Sequence, residues 1–257
     1  MNQNLATTLF PEWTTTPPKF LRTINKVIRR RPLRFRLERA VDGRIDMTTI
    51  EQRVHLMELL TVVVQYEVAG DVVELGTFEG KTAVLLTRVL QELGSPKKLH
   101  VYDAFDVGYF LGEEADVLAL LRQNFAGAGA RLPEIHKGYF EQTLPAELPE
   151  TVCFAHLDVG IGPHPDRHKG VMLKCLESIY PRLAPGGICL LMDYNDGSFS
   201  DVADGHPGVR QATDEFLLNK PEKAVTLYGG QGAMGYFRKS GMPAPQKAVE
   251  REHMAVR

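Results

Sequence analysis

Short unbroken apolar runs alternate along this chain with stretches of helical apolar spacing. Asp71 to Leu75 reads as a buried strand, and from Gly80 onward Ala83, Val84, Leu85, Val89 and Leu90 recur at helical intervals. Upstream, Val54, Met57, Leu60 and Val64 predict a helix over Met47 to Val68, with Thr48 or Thr49 as its cap, covering the entrance side of the sheet. Downstream, the pattern predicts a strand over Lys98–Asp103, a helix over Glu113–Phe125, a short strand at Ile135–Lys137 and a strand over Val152–Asp158. The continuous apolar character of that last strand implies burial on both faces. A helix over Lys169–Leu183 is expected to stop at Ala184-Pro185-Gly186-Gly187, ahead of a strand at Ile188–Asp193 and a helix at Pro207–Leu218. Lys223–Tyr228 and Ala233–Lys239 flank a glycine-rich turn, so they form a hairpin and the last strand runs antiparallel. The whole predicts an α/β fold: a Rossmann-like sheet, mostly parallel, with helices on both faces and an antiparallel C-terminal hairpin.

Composition narrows the setting without changing that picture. The 257 residues are 44% hydrophobic with net charge −2, enough for one sizeable domain with appendages. The expected division is a tail and basic arm over 1–46, the domain with its N-terminal cap helix over 47–240, and a polar tail over 241–257. The arm carries Arg22, Lys26, Arg29, Arg30, Arg31, Arg34, Arg36 and Arg39 against Glu38. A solvated face or subunit contact is the plain reading, and a grip on an anionic substrate or surface the sharper one. No apolar run is long enough to span a bilayer and no signal peptide is visible, and Cys153, Cys175 and Cys189 read as buried free thiols. A cytoplasmic protein with neither nucleic acid nor membrane as partner is therefore expected, and the arm read as a subunit contact makes it a homo-oligomer, a dimer or higher.

Candidate chemistry gathers at the carboxyl ends of the predicted strands, where open α/β sheets hold their ligands. Gly76-Thr77-Phe78-Glu79-Gly80 joins the first strand to a helix, with Thr82 in that helix's first turn. Glu74, expected to face the crevice, would repel a pyrophosphate and favour a cation, so Glu-x-Gly-x-x-x-Gly fits S-adenosylmethionine better than NAD. Asp103 ends the second strand where it can accept from ribose hydroxyls, and Phe105 could stack on the ligand. Gly138, Tyr139 and Phe140 follow the third strand; the aromatics could flank an adenine or anchor the loop to the core. Asp158 and Asp193 end the fourth and fifth strands, and two carboxylates there suit a hard cation.

These blocks together resemble the macrocin O-methyltransferase (TylF/MycF/NovP-type) family of class I S-adenosylmethionine-dependent enzymes. The resemblance runs from Met47 to Lys239 through Asp71–Gly80, Val101–Asp106, Gly138–Pro145, His156-Leu157-Asp158, Ile179–Gly187, Met192-Asp193-Tyr194 and Pro207–Ala212. It implies methyl transfer to a hydroxyl, typically of a sugar on a natural product, assisted by a divalent cation such as Mg²⁺. The chain departs from the family at two points. Gly160 stands where the family's second aspartate, the proposed base, is expected, and Met192 replaces the first of an Asp-Asp pair. Asp158, Asp193 and Asp196 remain as candidate metal ligands, and Asp158, His164 and His168 as candidate catalytic groups. His156, inside the fourth strand, reads as a core histidine. A methyltransferase fold with altered chemistry or a binding role is the alternative, and an NAD-type oxidoreductase a further one.

Overall fold

The computed structural model describes residues 19–29, 48–106, 115–160, 165–195, 208–227 and 232–241. Seven strands form one sheet: β1 (Asp71–Leu75), β2 (Leu99–Asp103), β3 (Glu134–Lys137), β4 (Val152–Leu157), β5 (Leu183–Leu191), β6 (Val225–Leu227) and β7 (Met234–Arg238). Their order is β3-β2-β1-β4-β5-β7-β6. The first five are mutually parallel, while β7 runs antiparallel to both β5 and β6. The helices are α1 (Lys19–Arg29), α2 (Ile50–Gln65), α3 (Lys81–Glu92), α4 (Val117–Gly127), α5 (Phe140–Thr143), α6 (Pro165–Ile179) and α7 (Gly208–Leu217).

Alternation along the strands divides the core in two. Val72, Val101, Phe154 and Leu190 point to one face, where Leu56 and Leu60 of α2, Leu86 and Val89 of α3, and Leu121 and Phe125 of α4 cover them. Val73, Tyr102, Ala155 and Leu191 point to the other, beneath Met172 and Leu176 of α6 and Ala212 of α7. Full burial of a side chain such as Phe154 contributes about 1.5–3 kcal/mol. Cys153, Cys175 and Cys189 are buried and unbridged. Burial pushes the Cys153 thiol up to about 11 and raises the other two as well.

Local chemistry explains where the helices start. Thr49, not Thr48, caps α2 with a reciprocal box: its hydroxyl accepts from the Gln52 amide at 3.3 Å, and Gln52 Oε1 accepts from the Thr49 amide at 2.8 Å. α4 begins at Val117 rather than Glu113, because Asp116 Oδ1 caps it by accepting from the Ala119 amide at 3.0 Å. α6 begins four residues before the expected Lys169, with Pro165 at its first position and Asp166 in its first turn.

The largest departure from the expected pattern is β5. It starts at Leu183 rather than Ile188, and Pro185-Gly186-Gly187 lies within it instead of ending a helix. Leu183 pairs with Val152 and Ile188 with Phe154, so β5 loops out extra residues as a bulge. The end of β7 holds the bulge: the Lys239 amide donates to the Gly187 carbonyl at 2.8 Å and Arg238 Nε to the Gly186 carbonyl at 3.0 Å.

Candidate functional site

The carboxyl ends of β1, β2, β4 and β5 form one rim. Three residues on it that are not glycine adopt left-handed backbone: Phe78 (φ 49°), Phe105 (φ 54°) and Asp193 (φ 54°). Such conformations are costly and gather where surrounding structure imposes a shape on a site.

Asp103 organises this rim. Its Oδ2 accepts from the amides of Thr77 and Phe78, both at 2.8 Å, and its Oδ1 from the Phe105 amide at 2.7 Å. The acid at the end of β2 therefore fixes both its own turn and the glycine turn after β1. A carboxylate offers about four acceptor positions; with three filled, Asp103 keeps capacity for one hydroxyl. Its main-chain carbonyl also accepts from the Gly138 amide at 2.9 Å, tying the β3–α5 turn to the same point.

Gly76 has a reason that the motif did not suggest. At φ +85°, a Cβ there would lie 1.8 Å from the Asp158 carbonyl oxygen. Its bareness lets the ends of β1 and β4 approach each other. At Gly80 (φ +78°), a Cβ would meet Leu121 Cγ of α4 at 2.8 Å.

Glu74 does not face the crevice as expected. It is fully buried in the α2–α3 face of the sheet, opposite His156, with Oε1 and His156 Nδ1 sharing a hydrogen at 3.0 Å. Burial pushes the Glu74 carboxyl up, against the pull of His156. Neither Glu74 Oε2 nor His156 Nε2 has a hydrogen-bond partner among the described residues.

The aromatics divide. Phe105 is buried in the α2–α3–α4 core cluster, so its ring is not open for stacking, and Phe140 packs against the opposite cluster as a loop anchor. Phe78 is half-buried against the first cluster. Tyr139 remains exposed at the rim, its hydroxyl donating to the Asp106 carboxylate. Thr77 is buried, and Thr82 half-buried in the first turn of α3.

Asp158 and Asp193 follow adjacent strands and are both half-buried. Met192, between β5 and Asp193, is buried in the core and offers no oxygen to a cation. His168 is not a crevice group: it is fully buried in the first turn of α6, where Nε2 donates to the Val159 carbonyl at 2.6 Å. That bond fixes the β4–α6 connection. His164 and Asp196 lie outside the described residues. Among the described residues no group of three His, Cys, Asp or Glu is arranged to hold a metal.

Unforeseen from the sequence is a chain of titratable groups on the far side of β2. His100 Nδ1 meets His136 Nε2 at 3.2 Å, His136 Nδ1 meets Glu147 Oε2 at 2.9 Å, and Asp71 Oδ2 lies 3.5 Å from His100 Nε2. His100 pairs with Glu134 and Tyr102 with His136, so the two histidines are diagonal neighbours across the β2–β3 ladder. A histidine at an even step in each strand was the available signal.

The fold and rim define a class I methyltransferase-type sheet. An NAD-binding doubly wound sheet has the order 3-2-1-4-5-6; here antiparallel β7 lies between β5 and β6. Residues 73–194 match the model of a family described as a methyltransferase domain, spanning β1 through the end of β5. No curated protein matches the chain. Among solved structures it is similar to the O-methyltransferase NovP, at 20% identity and TM-score 0.57 over 75% of this chain and 81% of that one. It is also similar to the O-methyltransferase TomG from Streptomyces achromogenes, solved with S-adenosylmethionine, at 18% identity and TM-score 0.53 over 94% and 100%. An O-methyltransferase from Bacillus cereus, solved with SAH, is 15% identical with TM-score 0.53 over 84% and 96%.

Proposed function

We propose that the protein is an S-adenosylmethionine-dependent O-methyltransferase acting on a hydroxyl of a small molecule, a sugar or natural-product intermediate. The observation that carries this reading is the methyltransferase-domain match over the very strands whose ends build the rim. The names of the similar structures, NovP and TomG, support oxygen as the acceptor atom. Asp103 fits the cofactor, with one acceptor position left for a ribose hydroxyl beside the glycine turn it holds.

S-adenosylmethionine supplies an electrophilic methyl carbon on a sulfonium. The chain must hold the acceptor hydroxyl in line with that carbon and accept its proton. Asp158, following the strand between β1 and β5, is the carboxylate assigned the proton in this reading. His168 is spoken for by the Val159 carbonyl. Were Mg²⁺ bound at this rim, Asp158 and Asp193 would supply carboxylate oxygens to it, and Asp196 is the candidate that would extend the set; no step is assigned to the cation.

The test is turnover of labelled S-adenosylmethionine over a panel of hydroxylated acceptors, with and without chelator, in wild type and Asp158→Asn. Methyl transfer lost in Asp158→Asn is expected. Failure to bind S-adenosylmethionine by calorimetry would sink the proposal. Full activity of Asp158→Asn in chelator would move the base elsewhere.

A further inference from the structure

α1 has a surface that the reaction does not use. With a helical repeat of about 100° per residue, Phe20, Leu21, Ile24, Val27 and Ile28 fall within an arc of about 120°. Lys19 and Lys26 fall on the opposite arc, and the helix sequence adds Arg22 and Arg29 and contains no acidic residue. Phe20, Ile24 and Val27 are 63%, 40% and 56% exposed. No extensive packing joins α1 to another described element. An apolar stripe this exposed, on a helix this basic, needs an occupant that is apolar inside and anionic at its edge.

We propose that α1 adsorbs to the surface of a bilayer carrying anionic lipids, its apolar arc seated at the headgroup–acyl boundary and its basic arc offered to lipid phosphates. Sharp separation of an apolar arc from a polar face rich in Lys and Arg is the signature of an interfacial helix. Adsorption needs no spanning length, so the absence of a membrane-crossing helix among the described residues does not bear on it. The sequence that follows stays basic, from Arg30 through Arg36, with Leu33 and Phe35 interspersed. That charge strengthens attraction to an anionic surface.

A second copy of the chain fits less well. Eleven residues span only about 16 Å, a short seam for a subunit contact. Pairing two such helices through their apolar arcs would leave both basic arcs outward, with no acid of either helix to neutralise them.

The experiment is flotation of the full-length protein with vesicles of phosphatidylcholine alone, or of phosphatidylcholine with phosphatidylglycerol, at low and high salt. Sedimentation without lipid gives the mass of each variant. Wild type is expected to float at least about ten-fold more with phosphatidylglycerol vesicles, and high salt is expected to weaken this. Phe20→Asp/Ile24→Asp and Lys19→Gln/Lys26→Gln should each reduce flotation while keeping the wild-type melting curve. Equal flotation with both vesicle types, or none, overturns the proposal. So does a fall in solution mass for Phe20→Asp/Ile24→Asp when wild type does not float, which would make the arc a subunit contact.

Discussion

Replacing Asp103 with Asn separates two roles that one side chain holds here. The carboxylate accepts three main-chain amides at 2.7–2.8 Å, two from the glycine turn and one from its own. Asn offers one acceptor oxygen. If that oxygen stays with Thr77 and Phe78, the new NH₂ group faces the Phe105 amide, donor against donor. Losing one charge-assisted bond removes about 1.5–3 kcal/mol, and converting the other two to neutral bonds removes about 1 kcal/mol each. Asp103 is only half-buried, so water recovers part of this, and a net loss of about 2–3 kcal/mol is expected. For a domain of this size that is about 4–12 °C in melting temperature. The assay is urea and thermal unfolding of the cofactor-free protein, beside titration with S-adenosylmethionine. Weaker cofactor binding follows from either role, but only the loop-holding role destabilises the empty protein. Cofactor-free Asp103→Asn within about 0.5 kcal/mol of wild type, with binding lost, would refute the hydrogen-bond reasoning and leave a ligand contact alone.

Three further outcomes are expected. Gly76→Ala should yield little folded protein, a loss beyond about 4 kcal/mol, because its Cβ would sit on the Asp158 carbonyl; Gly94→Ala, left-handed but with open space around it, should cost only about 1–2 kcal/mol. His168→Ala should lower the unfolding free energy by about 1–3 kcal/mol, read as a lower urea midpoint, and leave turnover nearly intact in the folded fraction; lost turnover at unchanged stability would restore it as a base. Burial holds the His100 imidazole below its ordinary value, against the pull of Asp71. The unfolded chain therefore takes up this proton first as pH falls below about 6.5, and stability declines from there down to the folded value. His100→Asn should flatten that part of the urea midpoint–pH profile; an unchanged slope would assign it to another group.

Much of the fold was legible because each element obeys its own local rule. β1 begins and ends as the apolar run does, the Thr49–Gln52 box marks α2, and the glycine turn before Ala233 announces antiparallel β7. β5 was misjudged at its start because Pro185-Gly186-Gly187 carries the signature of a helix stop, and only the neighbouring strands show that it can be a bulge. At the rim, residue types were legible and their tasks were not. Asp103 was recognised as a strand-end acid, but its three amides come from turns whose path no spacing reveals. Glu74 was assigned to the crevice by motif, whereas strand alternation sends it into the α2–α3 face against His156. The Pro163–His168 run has the composition of a polar loop, but a helix is already under way at Pro165 and carries His168 into the core.

The three cysteines make the protein its own unfolding clock. Each thiol is buried, and each is raised away from the thiolate that alkylating reagents attack. Cys153 and Cys189 lie on adjacent central strands, and Cys175 on the inner side of α6, so labelling requires parting of the sheet from its covering helices. A brief pulse of iodoacetamide followed by mass spectrometry should therefore find the native protein unmodified. Under mild denaturant the three sites should gain label together, at the rate of global opening. Earlier labelling of Cys175 would show α6 lifting before the sheet comes apart.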